Sequence, residues 1–162
     1  MSAPWPEPVE RVAAVLRQAG SEGRIEEFEH ETPTARDAAH AAGCELAQIV
    51  KTVLFVCDGR PVAALVPGDC RVAPDKVAEI VGASTARVAR GQEVIEITGF
   101  EPGAVAPFPL PNVRNVLIDH RLFVHEVVWV GGGSRRHLVE LEPLDLASLS
   151  HGRAADVVES DT

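Results

Sequence analysis

IVKTVLFVC, residues 49–57, sets eight apolar or small side chains around a single cation, Lys51. The run is short, rich in β-branched residues and closed by Asp58-Gly59, the strongest two-residue hairpin signal. It therefore predicts a strand covered on both faces that turns back into a partner at Pro61–Val66. Pro61 suits the first position of that partner, where a missing N–H is tolerated. Lys51 thus starts from a sheet. An unpaired buried ammonium costs several kcal/mol, on the order of the whole stability of a small domain, so it must reach water, a carboxylate or an anionic ligand. An edge position with the head in solvent is the bland solution. Yet the 15 basic residues include only two lysines, Lys51 and Lys76, and a surface-decorating cation here would more readily have been arginine.

Working outward, Glu10–Ala19 puts Val12, Ala13, Val15, Leu16 and Ala19 on one helical face, and Gly20 stops it. Arg24–Glu29 reads as a short exposed strand. Thr34 with Asp37 three residues on resembles a capping box before a helix through Ala42, ended by Gly43. After the hairpin, Pro74 at the first helical position opens a helix through Val81, with Gly82 behind it. Ala86–Ala89 is a brief strand and Gln92–Thr98 one or two helical turns. Strands follow at Asn115–Asp119, His125–Val130 and His137–Leu141, with Gly131-Gly132-Gly133-Ser134 as the turn joining the last two. Pro143–Leu149 closes as a helix, and the tail 151–162 reads as frayed. Helices alternating with hairpins are not the βαβ rhythm of a doubly wound sheet. The expected fold class is α/β of the α+β type: one domain over residues 1–150, with a mixed, mostly antiparallel sheet, curved or barrel-like, flanked by helices.

A chain of 162 residues, 46% hydrophobic and 24% charged, is long enough to bury a core unaided. Three cysteines without a C-x-x-C pair read as reduced thiols, and no signal peptide or membrane span is visible, so a soluble cytoplasmic protein is expected. A net charge of −9 argues against a general nucleic-acid binder, DNA included, since counterion release needs clustered cations. Any RNA contact must be local. Arg87, Arg90, Arg114, Arg121, Arg135 and Arg136 all fall in the second half of the chain, where they form either a basic face or a solvated one.

Among known chemical signatures, there is no G-x-S-x-G elbow, P-loop, H-E-x-x-H or post-strand G-x-G-x-x-G. His120 and His125 would need a partner such as Glu126 to hold a metal, and neither metal nor cofactor is expected. Asp119, ending an apolar strand, either caps a turn or faces a cleft. What remains is Lys51 and the irregular loop Gly99–Pro111. Its prolines fix φ while glycine admits close backbone approach, so its N–H groups can form an oxyanion site. The alternative is that the prolines merely carry the chain across a sheet end.

Between Thr32 and Leu110 the ordered set T-x-x-x-A, A-A-G-C, Q-I-V-K-T, V-P-G-D, P-x-K-V-A-x-x-V-G, E-V-x-x-I-T-G-F and G-x-x-x-P-F resembles the YbaK/ProX family. These are free-standing relatives of the editing domain of bacterial prolyl-tRNA synthetases. The resemblance covers about two-thirds of the chain and continues faintly through Val116–Asp119 and Gly131–Gly133. It implies a deacylase that hydrolyses the ester of mischarged tRNA, with tRNA for proline carrying alanine, cysteine or another small amino acid as substrate. Aminoacyl-tRNA and prolyl-tRNA synthetase are the implied partners, with monomer and homodimer both open. The family's functional lysine falls on Lys51 and its loop on Gly103, Ala104, Val105, Ala106 and Pro107, while Val50, Thr52, Phe108 and Asp119 complete a substrate-binding set. An aminoacyl ester is already activated, so positioning a water and holding a tetrahedral oxyanion suffices. Lys51 serves either as general base or as an anchor for ribose or phosphate. Pro109 stands where the family often has glycine, and the chain has no tyrosine to match the pocket of the cysteine-specific members. A rigid loop predicts a steric sieve, with Gly103 at its closest approach. A non-catalytic module that binds tRNA ends or a synthetase is the competing reading.

Overall fold

A computed structural model describes residues 5–160, leaving the first four residues of the N-terminal stretch and the last two of the tail outside it. Helix α1 (Glu7–Ala19) buries Val9, Val12, Ala13 and Leu16 and ends on Gly20 in the left-handed region, φ 63°. Strand β1 (Arg24–Glu27) leads to α2 (Ala35–Ala42), where the Thr34 hydroxyl accepts from the Asp37 N–H at 3.1 Å. A 3-10 turn at Leu46–Gln48 delivers the chain to β2 (Val50–Cys57) and β3 (Arg60–Pro67). Between them Asp58 and Gly59 both have positive φ, 50° and 83°, as a primed hairpin turn requires. Asp58 also accepts from the Ser84 and Thr85 N–H groups, which hold its carboxyl below the usual range.

Helix α3 (Pro74–Val81), β4 (Arg87–Val88) and α4 (Gly91–Thr98) precede the irregular loop, in which Phe108-Pro109 is cis. Then come β5 (Asn115–Asp119), a 3-10 segment at His120–Val124, β6 (Val128–Ser134), β7 (His137–Leu141), α5 (Pro143–Ser150) and β8 (Arg153–Ala155).

The α+β class and the flanking helices are as expected, but the strands form two open sheets rather than a barrel. One is ordered β4-β2-β3-β5-β8 and the other β1-β7-β6. Pairing is antiparallel except for β3–β5 and β5–β8. A parallel bridge between Ile49 and Trp129 brings the edge of β2 to β6. The main core lies on the face of β2 that carries Val50 and Leu54, against α1, β6 and the irregular loop; a second cluster around Phe55 and Cys57 packs under α3. A third joins α2 to Trp129 and Leu138.

Two expectations are corrected. Gly131–Ser134 is the second half of β6, and the turn lies beyond it at Arg135-Arg136. These glycines allow close approach: an added Cβ would stand 2.5 Å from Val105 O at Gly131, 2.8 Å from His137 O at Gly132 and 2.7 Å from Pro8 O at Gly133, where φ is also positive, 103°. The tail is not frayed over 153–158. β8 adds an edge strand beside β5, Val158 bridges to Val72, and Val157 and Val158 are buried. Two of the second-half arginines are neutralised by ion pairs. Arg87 pairs with Glu93, holding that carboxyl down to about 2, and Arg121 pairs with Asp119 and Asp156.

Candidate active site

Where the edge of β2 meets β6, a cavity of ≈ 320 Å³ opens between the two sheets. Val50, Lys51 and Thr52 form one wall, Trp129, Val130 and Gly131 of β6 the opposite one, and Leu138 adds to it from β7. Thr32–Ala35 and Ala38 line it from the start of α2, and Gly103 and Val105 from the irregular loop. Side chains alternate across a strand, so three consecutive residues can line a cavity only if it meets the strand's edge. The hairpin register, with Cys57 opposite Arg60 across a two-residue turn, has this consequence: it turns the backbone N–H and C=O of Thr52 away from β3, towards that edge.

Lys51 lies on the sheet face opposite Val50 and Thr52. It is half-buried, and its ammonium donates to the carbonyl oxygen of Cys70. Burial lowers its pKa below the ordinary 10.5, against a smaller opposite pull from Cys70 and Asp69. Among the lining residues Lys51 is the sole titratable side chain; the others that carry polar groups are Thr32, Thr34, Thr52 and Trp129. The Thr52 hydroxyl oxygen is buried and unpartnered, so a ligand donor there would satisfy it.

The structure brings Lys51, Val50, Thr52, Gly103 and Val105 together at this cavity and leaves five expected residues outside its lining. Ala104 and Ala106 are buried, 5% and 0% exposed, and the Ala104 N–H is already donated to Glu101 O at 2.9 Å. Pro107 is buried and Phe108 belongs to the main core, where both hold the loop down instead of flooring the pocket. Asp119 is fully buried. It accepts from the Arg121 N–H at 3.0 Å, the Arg121 guanidinium at 3.1 Å and the Val157 N–H at 3.1 Å, so it caps the turn and pins the tail. Gly103, with φ 84°, adopts a backbone that favours glycine, but a Cβ there would meet the Arg135 guanidinium at 3.6 Å. The steric role expected of Gly103 therefore has no support in its surroundings.

Sequence reasoning missed Trp129, Gly131, Leu138 and the stretch Thr32–Ala38. The signals were present but ambiguous: a tryptophan in an apolar strand reads as core, and a glycine triplet reads as a turn.

The motif order and this geometry agree with a match over residues 29–149 to the family described as the aminoacyl-tRNA editing domain. The chain belongs to that family. A Bacillus subtilis (strain 168) protein described as uncharacterized protein YwhH is 33% identical over 137 residues, covering 84% of this chain and 87% of that protein. Proline–tRNA ligase of Maridesulfovibrio salexigens is 34% identical over 102 residues, 63% of this chain but only 17% of the ligase. The crystal structure of a candidate trans-editing enzyme for prolyl-tRNA synthetase superposes with a TM-score of 0.89 at 32% identity, covering 96% of this chain and 99% of that one. In this editing domain the matched span begins after β1 and stops before β8, so it contains every residue that lines the cavity.

Proposed function

We propose that the chain is a trans-acting deacylase that hydrolyses the ester of tRNA for proline mischarged with a small amino acid, and that the cavity between β2 and β6 receives the aminoacyl group. The observation that carries this is the lining itself: a small, largely apolar cavity with one titratable group, Lys51, at a strand edge and an irregular loop at its mouth. Such a site holds no carboxylate, imidazole or thiol to form a covalent intermediate. It suits a substrate that needs only orientation and charge stabilisation, as an activated ester does.

Water attacks the ester carbonyl carbon, the tetrahedral oxyanion collapses, and the ribose oxygen leaves with a proton. The N–H groups of Gly103 and Val105, not Ala104, are the loop donors left to meet the oxyanion. Lys51 keeps one N–H on the Cys70 carbonyl and directs its remaining donors at the ester end of the ribose. The wall of Ile49, Val50, Val105, Trp129 and Leu138 favours apolar side chains of limited size.

Alanyl-, cysteinyl-, seryl- and 2-aminobutyryl-tRNA for proline form the test panel. The expected result is accelerated loss of the ester for the alanyl and 2-aminobutyryl forms. Survival of all four esters at the uncatalysed rate, with stable binding, would instead establish a non-catalytic tRNA-end binder.

A further inference from the structure

Among the described residues six cations are paired with carboxylates: Arg11, Arg17, Arg24, Lys76, Arg87 and Arg121. Lys51, Arg135 and Arg136 are not. Among the described residues each of these three donates to a neutral carbonyl: Lys51 to Cys70, Arg135 to Pro102 at 3.2 Å and Arg136 to Phe28 at 2.9 Å. Arg36, Arg60, Arg71, Arg90, Arg114 and Arg153 also have no ion pair among the described residues, so what sets Arg135 apart is its place beside the cavity lining rather than its lack of a carboxylate. Glu31 and Glu101 share the outer groove with the Arg135-Arg136 turn, yet neither forms an ion pair with it.

The turn that carries Arg135 is tied to two parts of the cavity lining, Thr32 and the loop at Gly103. Its carbonyl accepts from the Thr32 N–H at 2.6 Å and the Thr32 hydroxyl at 3.2 Å, and Thr32 lines the cavity. On the other side the guanidinium reaches Pro102 O, and its Nε lies 3.6 Å from where a Cβ of Gly103 would stand. A guanidinium has five donors in a fixed fork, so the one bond to Pro102 leaves others free at the rim.

From these observations we infer that Arg135, with Arg136 adding charge behind it, forms a phosphodiester subsite at the rim of the cavity. It holds the phosphate on the 5′ side of the terminal nucleoside while the aminoacyl group occupies the cavity. This rests on the deacylase reading of the same site. It follows from the substrate's own chemistry: one ribose beyond the ester, the first charged group is that phosphate, and Lys51, anchored on Cys70 at the β2 edge, is committed to the ester end. Arg135 binds the substrate directly, and its bidentate fork is the natural partner for two phosphate oxygens.

The test compares two substrates that differ in this phosphate: alanyl-tRNA for proline, or whichever ester the panel finds cleaved, and the same amino acid esterified to adenosine. The readout is the ratio of their kcat/KM values in the wild type, R135A and R135K. Loss of a charge-assisted contact predicts a ratio about tenfold lower in R135A, partly restored in R135K. The salt dependence on the tRNA substrate should also become shallower by about 0.7 in log–log slope. An unchanged ratio, with both substrates losing alike, would mean that Arg135 only steadies the Pro102-Gly103 loop and would overturn the inference. Binding of amide-linked alanyl-adenosine with and without a 5′-methylphosphate gives a readout independent of hydrolysis. If no ester is cleaved but the wild type favours the phosphorylated analogue and R135A does not, the deacylase reading fails and the subsite stands. If the wild type does not distinguish the two analogues, the subsite is wrong.

Discussion

Lys51 is held half-buried with a neutral carbonyl as its partner, and that choice of partner has consequences for both activity and stability. Its folded pKa lies below the ordinary 10.5 because burial disfavours the charged form. The folded state therefore binds fewer protons than the unfolded chain between those two values, and stability rises with pH across that window. The penalty is fully present below the folded pKa. Lys51→Ala removes it, so the melting temperature of this variant at pH 7 should equal or exceed that of the wild type, while deacylation is abolished. A large drop in melting temperature would make Lys51 a structural residue. Lys51→Arg should not restore activity, since a planar fork does not fit a place shaped for a compact ammonium. If the ammonium is the working form, the enzyme-dependent rate falls as pH rises through the lowered pKa; a general base would give a rising limb instead. A pH–rate profile corrected for uncatalysed hydrolysis decides between them.

At the scale of elements, the fit of β6 against the irregular loop is what gives the cavity its far wall. Gly131 stands so close to Val105 that a Cβ would be 2.5 Å from its carbonyl oxygen, a backbone atom that cannot swing aside. Gly131→Ala must push the loop away, at a cost of about 1–3 kcal/mol for overpacking, and Gly103 and Val105 move with it. Activity on every accepted ester should fall together with stability, whereas a variant of normal rate would show that the loop's position does not matter.

The same elements show what was legible. α3 was read to the residue because Pro74 and Gly82 set φ at its two ends, and the β2–β3 hairpin because Asp58-Gly59 admits few other turns. Composition and motif order singled out Lys51 and Gly103 as candidates, and both line the cavity. β6 was misread because glycine serves two purposes, free φ in turns and close approach in sheets, and only the long-range partners Val105, His137 and Pro8 tell them apart. Trp129 reaches the cavity through the Ile49–Trp129 bridge between the two sheets, a contact across 80 residues, and Thr32 is held by the distant Arg135 carbonyl; local pattern encodes neither.

For the molecule as a whole, the last described residues are part of the fold that supports Lys51. Val157 and Val158 are 0% and 2% exposed and pack with Phe55, Val66 and Leu117 on the sheet face from which Lys51 rises. The Val157 N–H satisfies the fully buried Asp119 carboxylate, the Ala73 N–H that opens α3 donates to Val157 O at 2.7 Å, and Lys76 reaches Val158 O at 2.8 Å. Removing residues 153–162 therefore does three things at once. It exposes two valines and the apolar face beneath them, leaves Asp119 short of one donor, and deprives α3 of partners at its first turn. Burial of two valines alone is about 3 kcal/mol or more, and each kcal/mol moves the melting temperature of a domain this size by about 2–4 °C. The truncated chain should melt roughly 10 °C lower, and its residual activity at low temperature should fall as well, because α3 and the Cys70 carbonyl that anchors Lys51 lie on the same face. A truncation that melts with the full chain would show that β8 is dispensable and that α3 and β5 hold this face without it.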